Sequence, residues 1–376
     1  MKIAIMTQPL GHNYGGMIQA WALQRVLIKK GHKVITIDRQ REKRGFIYNS
    51  ARLVYRSMGK MIGKRKIPVN FESKFPYIYK NTINFISDNI VTSEPLDSTS
   101  SLKAHFSHQN YDAVIVGSDQ TWRPQYSPNI ENFFLDFCEG QKIKRIAYAT
   151  SFGVDEWEFS LAQTKRCAEL AKKFSAISVR EDSGVELCRN FLGVVAEHVL
   201  DPTLLLDKSD YEELIGSNRI KDKNAGIYTY FLDKSPDKIA FTQFVEEMLG
   251  EPVYSCQPKY GVEANMSSKI DDYIMPDPRD WLAGFANAKY VLTDSFHGMV
   301  FSIIFNKPFL VINNKSRGAA RFLSLLNLIN QSDRVVNNIS SVSNKEIERL
   351  LINSSRIISP EKNSSEKFLV NAINGK

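Results

Sequence analysis

TDSFHGMVFSIIFNKPFLVI, running from Thr293 to Ile312, places two apolar runs on either side of a polar turn. Just upstream, Tyr290-Val291-Leu292 is a short continuous apolar run, as in a strand covered on both faces. Met299 to Phe305 has the length and composition of a buried helix, and Pro308 opens a second strand. The polar cluster Asp294-Ser295-Phe296-His297-Gly298 therefore stands at a strand's carboxyl end, where a helix begins. In open α/β sheets ligands collect at that edge, because helix N-termini and loop amides point into it.

Working outward, the same strand-then-helix cycle fills the chain. Lys2–Met6, Lys33–Asp38, Tyr111–Gly117, Arg145–Thr150 and Ala176–Val179 read as strands separated by helical patterns. The cycle restarts with Ala225–Phe231 and continues through Pro252–Cys256 to the opening stretch. The expected fold is α/β, with two Rossmann-like doubly wound domains facing a cleft. The expected boundaries are 1–205 for the first domain, 206–335 for the second and 336–376 for a helical tail packing back on the first.

A chain of 376 residues with 43% hydrophobic content is long enough for two cores. No apolar run reaches the roughly 18 residues of a spanning helix, and the start Met1–Met6 is too short for a signal peptide, so a cytoplasmic protein is expected. Cys138, Cys167, Cys188 and Cys256 lie far apart without CxxC spacing, which argues for buried free thiols. No HExxH, EF-hand or carboxylate–histidine cluster indicates a metal.

The net charge of +8 is local. Residues 39–80 hold twelve Lys/Arg against Glu42 and Glu72, a net of +10, so the rest of the chain sums to −2. Within this insertion Leu53-Val54, Met58 and Met61-Ile62 recur at helical spacing among Arg52, Arg56, Lys60 and Lys64. The pattern fits a basic amphipathic helix on an anionic membrane face, or equally a solvated cationic face. Nucleic acid is the weakest reading, since no recognition motif accompanies the charge.

Several groups could carry chemistry. His297 stands at a helix tip, where an imidazole can move a proton beside unpaired amides, and Ser295 can cap that helix or bind an anion. A structural histidine is the competing reading. Arg180, after the strand ending at Val179, suits a carboxylate or phosphate, or an ion pair with Glu181 or Asp182. Lys315, Arg317 and Arg321 could complete a cationic wall. Val116–Trp122 ends another strand with Asp119, Gln120 and Trp122, a set suited to sugar contact, although Trp122 could equally be core. The glycine-rich Thr7–Gly16 lacks GxGxxG spacing, and no GxxxxGK[ST] occurs.

The segments Asn13–Gln24, Val116–Trp122, Ser178–Ser183, Asp201-Pro202-Thr203 and Thr293–Gly298, in this order, resemble the bacterial polysaccharide pyruvyltransferase family. The resemblance runs from about Lys2 to Arg334. It implies a GT-B-like domain pair that transfers pyruvate from phosphoenolpyruvate to a sugar as a cyclic ketal, with no cofactor beyond that donor. His297 is then the general acid, and Arg180, Ser295, Gly298, Lys315 and Arg321 hold the donor in the second domain and facing it. Asn13, Tyr14, Gly15, Asp119, Gln120 and Trp122 meet the acceptor in the first. Such enzymes are expected in capsule, exopolysaccharide or cell-wall polymer assembly, with a sugar or lipid-linked oligosaccharide as acceptor. Residues 39–80 would then hold the enzyme at the inner membrane face. The family often has an arginine where this chain has Ser295, so Arg321 or Lys315 must compensate, or the donor is not phosphoenolpyruvate. A nucleotide-sugar glycosyltransferase and a non-catalytic glycan-binding protein are the alternatives.

Overall fold

The computed structural model describes residues 1–42, 45–64, 69–221, 225–261, 269–313, 320–337, 343–352 and 359–375. Lys315 and Arg317 lie outside the described residues. β1 (Lys2–Met6), β2 (Lys33–Ile37), β3 (Ala113–Val116), β4 (Lys144–Thr150), β5 (Ala176–Val179) and β6 (Glu197–His198) form one sheet in the order β2-β1-β3-β4-β5-β6. β7 (Ile227–Tyr230), β8 (Val253–Tyr254), β9 (Tyr290–Thr293), β10 (Phe309–Ile312) and β11 (Val335–Val336) form a second, ordered β11-β10-β9-β7-β8. Every pairing is parallel. Parallel strands need crossover connections that cover both faces, which is why β3 and β10 are buried throughout and carry no polar residue.

Strand order also fixes where a ligand can sit. In each sheet the order reverses beside the first strand, between β1 and β3 in one domain and between β7 and β9 in the other. The loops leaving those strands diverge and open a crevice. Both crevices face the same interdomain cleft, lined by residues following β1, β3, β7 and β9.

The domains are joined by packing as well as by chain. One hydrophobic cluster runs from Ile3, Trp21 and Leu204 to Trp281, Phe301 and Phe322. At the seam Tyr14, in the first turn of helix Tyr14–Lys29, stacks on Trp281 with ring centroids 5.3 Å apart and donates its hydroxyl to the Pro276 carbonyl at 2.8 Å.

Two features alter the expected boundaries. Val335 and Val336 pair with β10, and Ile347, Leu350 and Leu351 of helix Asn344–Ile352 enter the second domain's core. The second domain therefore continues past 335; a two-residue edge strand is too short to announce itself by periodicity. Helix Ser359–Asn374 packs on the first domain, where Ser365 Oγ accepts from the Leu200 amide at 2.9 Å and Phe368 lies 6.3 Å from Tyr148. Among the described residues no helix is long and apolar enough to cross a membrane.

Candidate active site

The cleft encloses about 750 Å³ and is lined by polar groups from both domains. Helix Phe296–Ile304 supplies its floor. Ser295 caps that helix, its Oγ accepting from the Gly298 amide at 3.4 Å, while its own amide donates to Thr293 Oγ1 at 3.1 Å. Phe296 and His297 thus present the first-turn amides, which have no acceptor within the helix. Asp294 is structural: it accepts from the Leu232 and Asp233 amides at 2.6 and 3.2 Å and pairs with Lys238, tying β9 to the loop after β7.

His297 is inserted between the domains. Its Nε2 stands 3.8 Å from Asp201 Oδ2 and makes no hydrogen bond among the described residues, although only 8% of the side chain is exposed. The opposite edge of the ring abuts Gly15, where an added Cβ would come within 2.1 Å of Nδ1. Glycine is required there by the close approach of two helix tips.

Asp201 organises the first domain's side. Its Oδ1 accepts from the Thr203 amide at 3.0 Å and hydroxyl at 2.7 Å; its Oδ2 accepts from Ser118 Oγ at 3.0 Å and from Arg180 Nη1 at 2.7 Å. Burial alone would raise this carboxyl, but the His297 imidazole, the Arg180 charge and the Thr203 hydroxyl hold it well below the usual carboxylate range. Arg180 is 3% exposed, with Nη2 3.9 Å from Asp119 Oδ1 and its guanidinium 4.4 Å from the Phe296 ring. Burial would lower it, yet Asp201, Asp119 and Glu181 keep it above its ordinary value.

Arg321 reaches the same ring from helix Ala320–Leu328, 5.9 Å from its centroid, and lines the cleft. Burial first, and then the Arg180 charge, push it down to about 10. The cleft therefore holds a desolvated cation beside a second cation, a histidine with an open nitrogen and a helix tip. An anion placed there would satisfy all three.

The first domain's side of the cleft is mixed. Asn13 caps helix Tyr14–Lys29 by accepting from the Gly16 amide at 3.2 Å and donates to Asp119 Oδ2 at 3.3 Å. Asn13, Asp119 and Gln120 all line the cleft. Trp122 does not: it is fully buried, donates Nε1 to the Phe133 carbonyl at 2.9 Å and stacks on Phe134 at 4.6 Å, so its indole is core rather than a sugar platform. Tyr14 likewise is sequestered at the domain seam, with its hydroxyl bonded to Pro276. Gly15 serves by admitting the imidazole, and the Gly298 amide is directed to Ser295 rather than to the cleft. Arg180 sits behind Phe296, outside the lining, so Arg321 is the nearer guanidinium.

Three groups escaped sequence reasoning. Asp201 enters the sequence reading only within the family segment Asp201-Pro202-Thr203 and with no role at the site, because its partners Arg180 and His297 are 21 and 96 positions away. His12 lines the cleft, stacks on Tyr79 at 5.3 Å and is lowered by burial and by Arg41. Arg41 lines the cleft as well, though its sequence context marks only general basicity.

A family model described as polysaccharide pyruvyl transferase matches residues 13–316. The chain belongs to that family. No curated protein sequence matches it. Among solved structures, UDP-GlcNAc 2-epimerase from Methanocaldococcus jannaschii aligns over 100% of both chains at 11% identity with a TM-score of 0.56. S. aureus MnaA, solved with UDP, aligns over 93% of this chain and 90% of its own at 11% identity and a TM-score of 0.51. At that identity the likeness concerns the fold, two Rossmann-like domains about a cleft in the GT-B arrangement. The family assignment carries polysaccharide biosynthesis and a transferase class.

Proposed function

We propose that the chain transfers pyruvate from phosphoenolpyruvate to two hydroxyls of a sugar in a glycan precursor, forming a cyclic ketal. The observation that supports this most is the joint placement of Arg321, His297 and the Phe296–His297 helix tip at one end of the cleft. A small donor with both carboxylate and phosphate needs a cation, an amide-rich tip and a proton source together. With Ser295 at the position where the family often carries arginine, Arg321 supplies that charge from the following helix.

In the proposed reaction His297 delivers a proton to the enol methylene. The first sugar hydroxyl adds to the adjacent carbon, and the second displaces phosphate from the same carbon. Of the two hydroxyl protons, one returns to His297 in place of the proton given to the methyl group and the other leaves on phosphate, so His297 ends as it began. Asp201, held ionised by its donors, stands 3.8 Å from Nε2 and fixes that edge of the ring. Asn13, Asp119 and Gln120 face the hydroxyl-bearing acceptor.

The test is phosphate release from phosphoenolpyruvate with galactose-, mannose- and hexosamine-containing acceptors, followed by product analysis. Release should depend on acceptor, and the product should carry pyruvate on two oxygens. His297→Ala should lower turnover by about 10²–10⁴-fold with an unchanged thermal midpoint. Acceptor-dependent turnover of a nucleotide sugar, without phosphate release from phosphoenolpyruvate, would replace this reading with glycosyl transfer.

A further inference from the structure

Helix Phe46–Met61 turns its apolar side to solvent. Val54, Tyr55, Met58, Met61 and the capping Ile62 follow one another at i, i+1, i+4, i+7 and i+8, a single stripe. Their exposures are 59, 79, 60, 87 and 65%, so no other described part of the chain covers them. The opposite side is fastened: Arg52 and Arg56 donate to Glu72 at 2.9 and 2.5 Å, pinning the helix to the turn Phe71–Lys74. That turn is itself anchored, since Phe71 packs 6.2 Å from Tyr273 of the second domain. The outward stripe is therefore held by design of the ion pairs rather than left by fraying.

Charge selects the occupant. Lys60, one turn after Arg56, and Lys64, just past the helix, are exposed, in a segment whose net charge is +10. A second copy seated on this face would bring identical cationic rims together, which opposes a symmetric dimer. An anionic bilayer meets both demands at once: its headgroup–acyl boundary takes the apolar side chains and its phosphates take the lysines. We infer that helix Phe46–Met61 is an interfacial anchor that lies in the plane of an anionic phospholipid surface.

The anchor is mechanically linked to the cleft. Phe71, Phe75, Tyr79 and His12 form a ladder of rings with centroids 5.7, 5.3 and 5.3 Å apart, and His12 lines the cleft. Docking thus orients the cleft relative to the membrane. That a lipid-linked acceptor is presented there rests on the proposed reaction; the docking itself does not.

The full chain is floated with vesicles of phosphatidylcholine alone and of phosphatidylcholine with phosphatidylglycerol. The protein should float with the anionic vesicles only, and should be released as salt rises. Tyr55→Ser/Met58→Ser/Met61→Ser should reduce partitioning by more than about tenfold with the thermal midpoint unchanged, because the three side chains are exposed. Lys60→Glu/Lys64→Glu should reduce it separately. Failure of the wild type to float, or flotation of both variants at the wild-type level, overturns the inference. So does a concentration-dependent dimer seen by light scattering that the triple variant abolishes, with no vesicle binding. None of these readouts involves pyruvate transfer, so failure of either idea leaves the other standing.

Discussion

Arg180 and Arg321 stand against the same Phe296 ring, yet they differ in electrostatic state. Arg180 comes from the first domain's strand edge and is bonded to a carboxylate that is itself fully saturated with donors. Arg321 comes from the second domain, lines the cleft and is held down to about 10 by burial and by its neighbour. Arg180 is tied to Asp201 within the first domain, whereas Arg321 lines the cleft. Burying a charge is costly, so a desolvated cation on a cleft wall is a candidate for meeting an anion.

The comparison breaks most completely at Asp201. Asp201→Ala leaves Arg180 buried without its carboxylate, and the expected loss is about 3–5 kcal/mol of stability, read by denaturant unfolding. Acid should act in the same direction more gently. Asp201 has a folded pKa below its unfolded value near about 3.9, so its contribution is complete above that pH and drains away as pH falls toward the folded value. A midpoint that is flat between about pH 5 and about pH 2 would contradict this.

Gly15→Ala tests the imidazole that abuts the first domain's helix tip. The new methyl must displace His297, and turnover should fall on the order of 10²-fold while the thermal midpoint moves little. Equal losses in folding and turnover would instead make the contact structural. A stability change smaller than that at Asp201, and of opposite sign, is expected at Arg321. A cation with a lowered folded pKa costs stability throughout the range below about 10, and the cost fades only as pH rises past that value. Arg321→Met should therefore stabilise the unliganded protein by about 1–2 kcal/mol at neutral pH while abolishing donor binding.

The outline of the fold is legible in the sequence because parallel strands covered on both faces must be short and continuously apolar, as at Ala113–Val116 and Phe309–Ile312. The turn at Asp294–Gly298 is legible for the same reason: a polar break between two such runs has to lie on the ligand-bearing edge. The equally polar break at Gly117–Trp122 divides, with Asp119 and Gln120 in the cleft and Trp122 in the core. No local pattern separates those outcomes, since the side on which an indole lands depends on Phe133 and Phe134 farther along the chain. Asp201 was hidden for a related reason. Its role is defined by Ser118 and Arg180 from other strand ends of the first domain and by His297 from the second, and its own surroundings read as a turn with Pro202 and Thr203. Val335–Val336 has too few residues for a period to exist.

The decisive measurement is a thermal titration with phosphoenolpyruvate on the wild type and on Arg321→Met, since only a ligand that prefers the folded state raises the midpoint. Wild-type protein should be stabilised progressively, by about 2.7 kcal/mol at a hundred times the dissociation constant, and the variant not at all. Equal stabilisation of both proteins, or a response to a UDP-sugar and none to phosphoenolpyruvate, would remove Arg321 and the anionic three-carbon donor from the cleft.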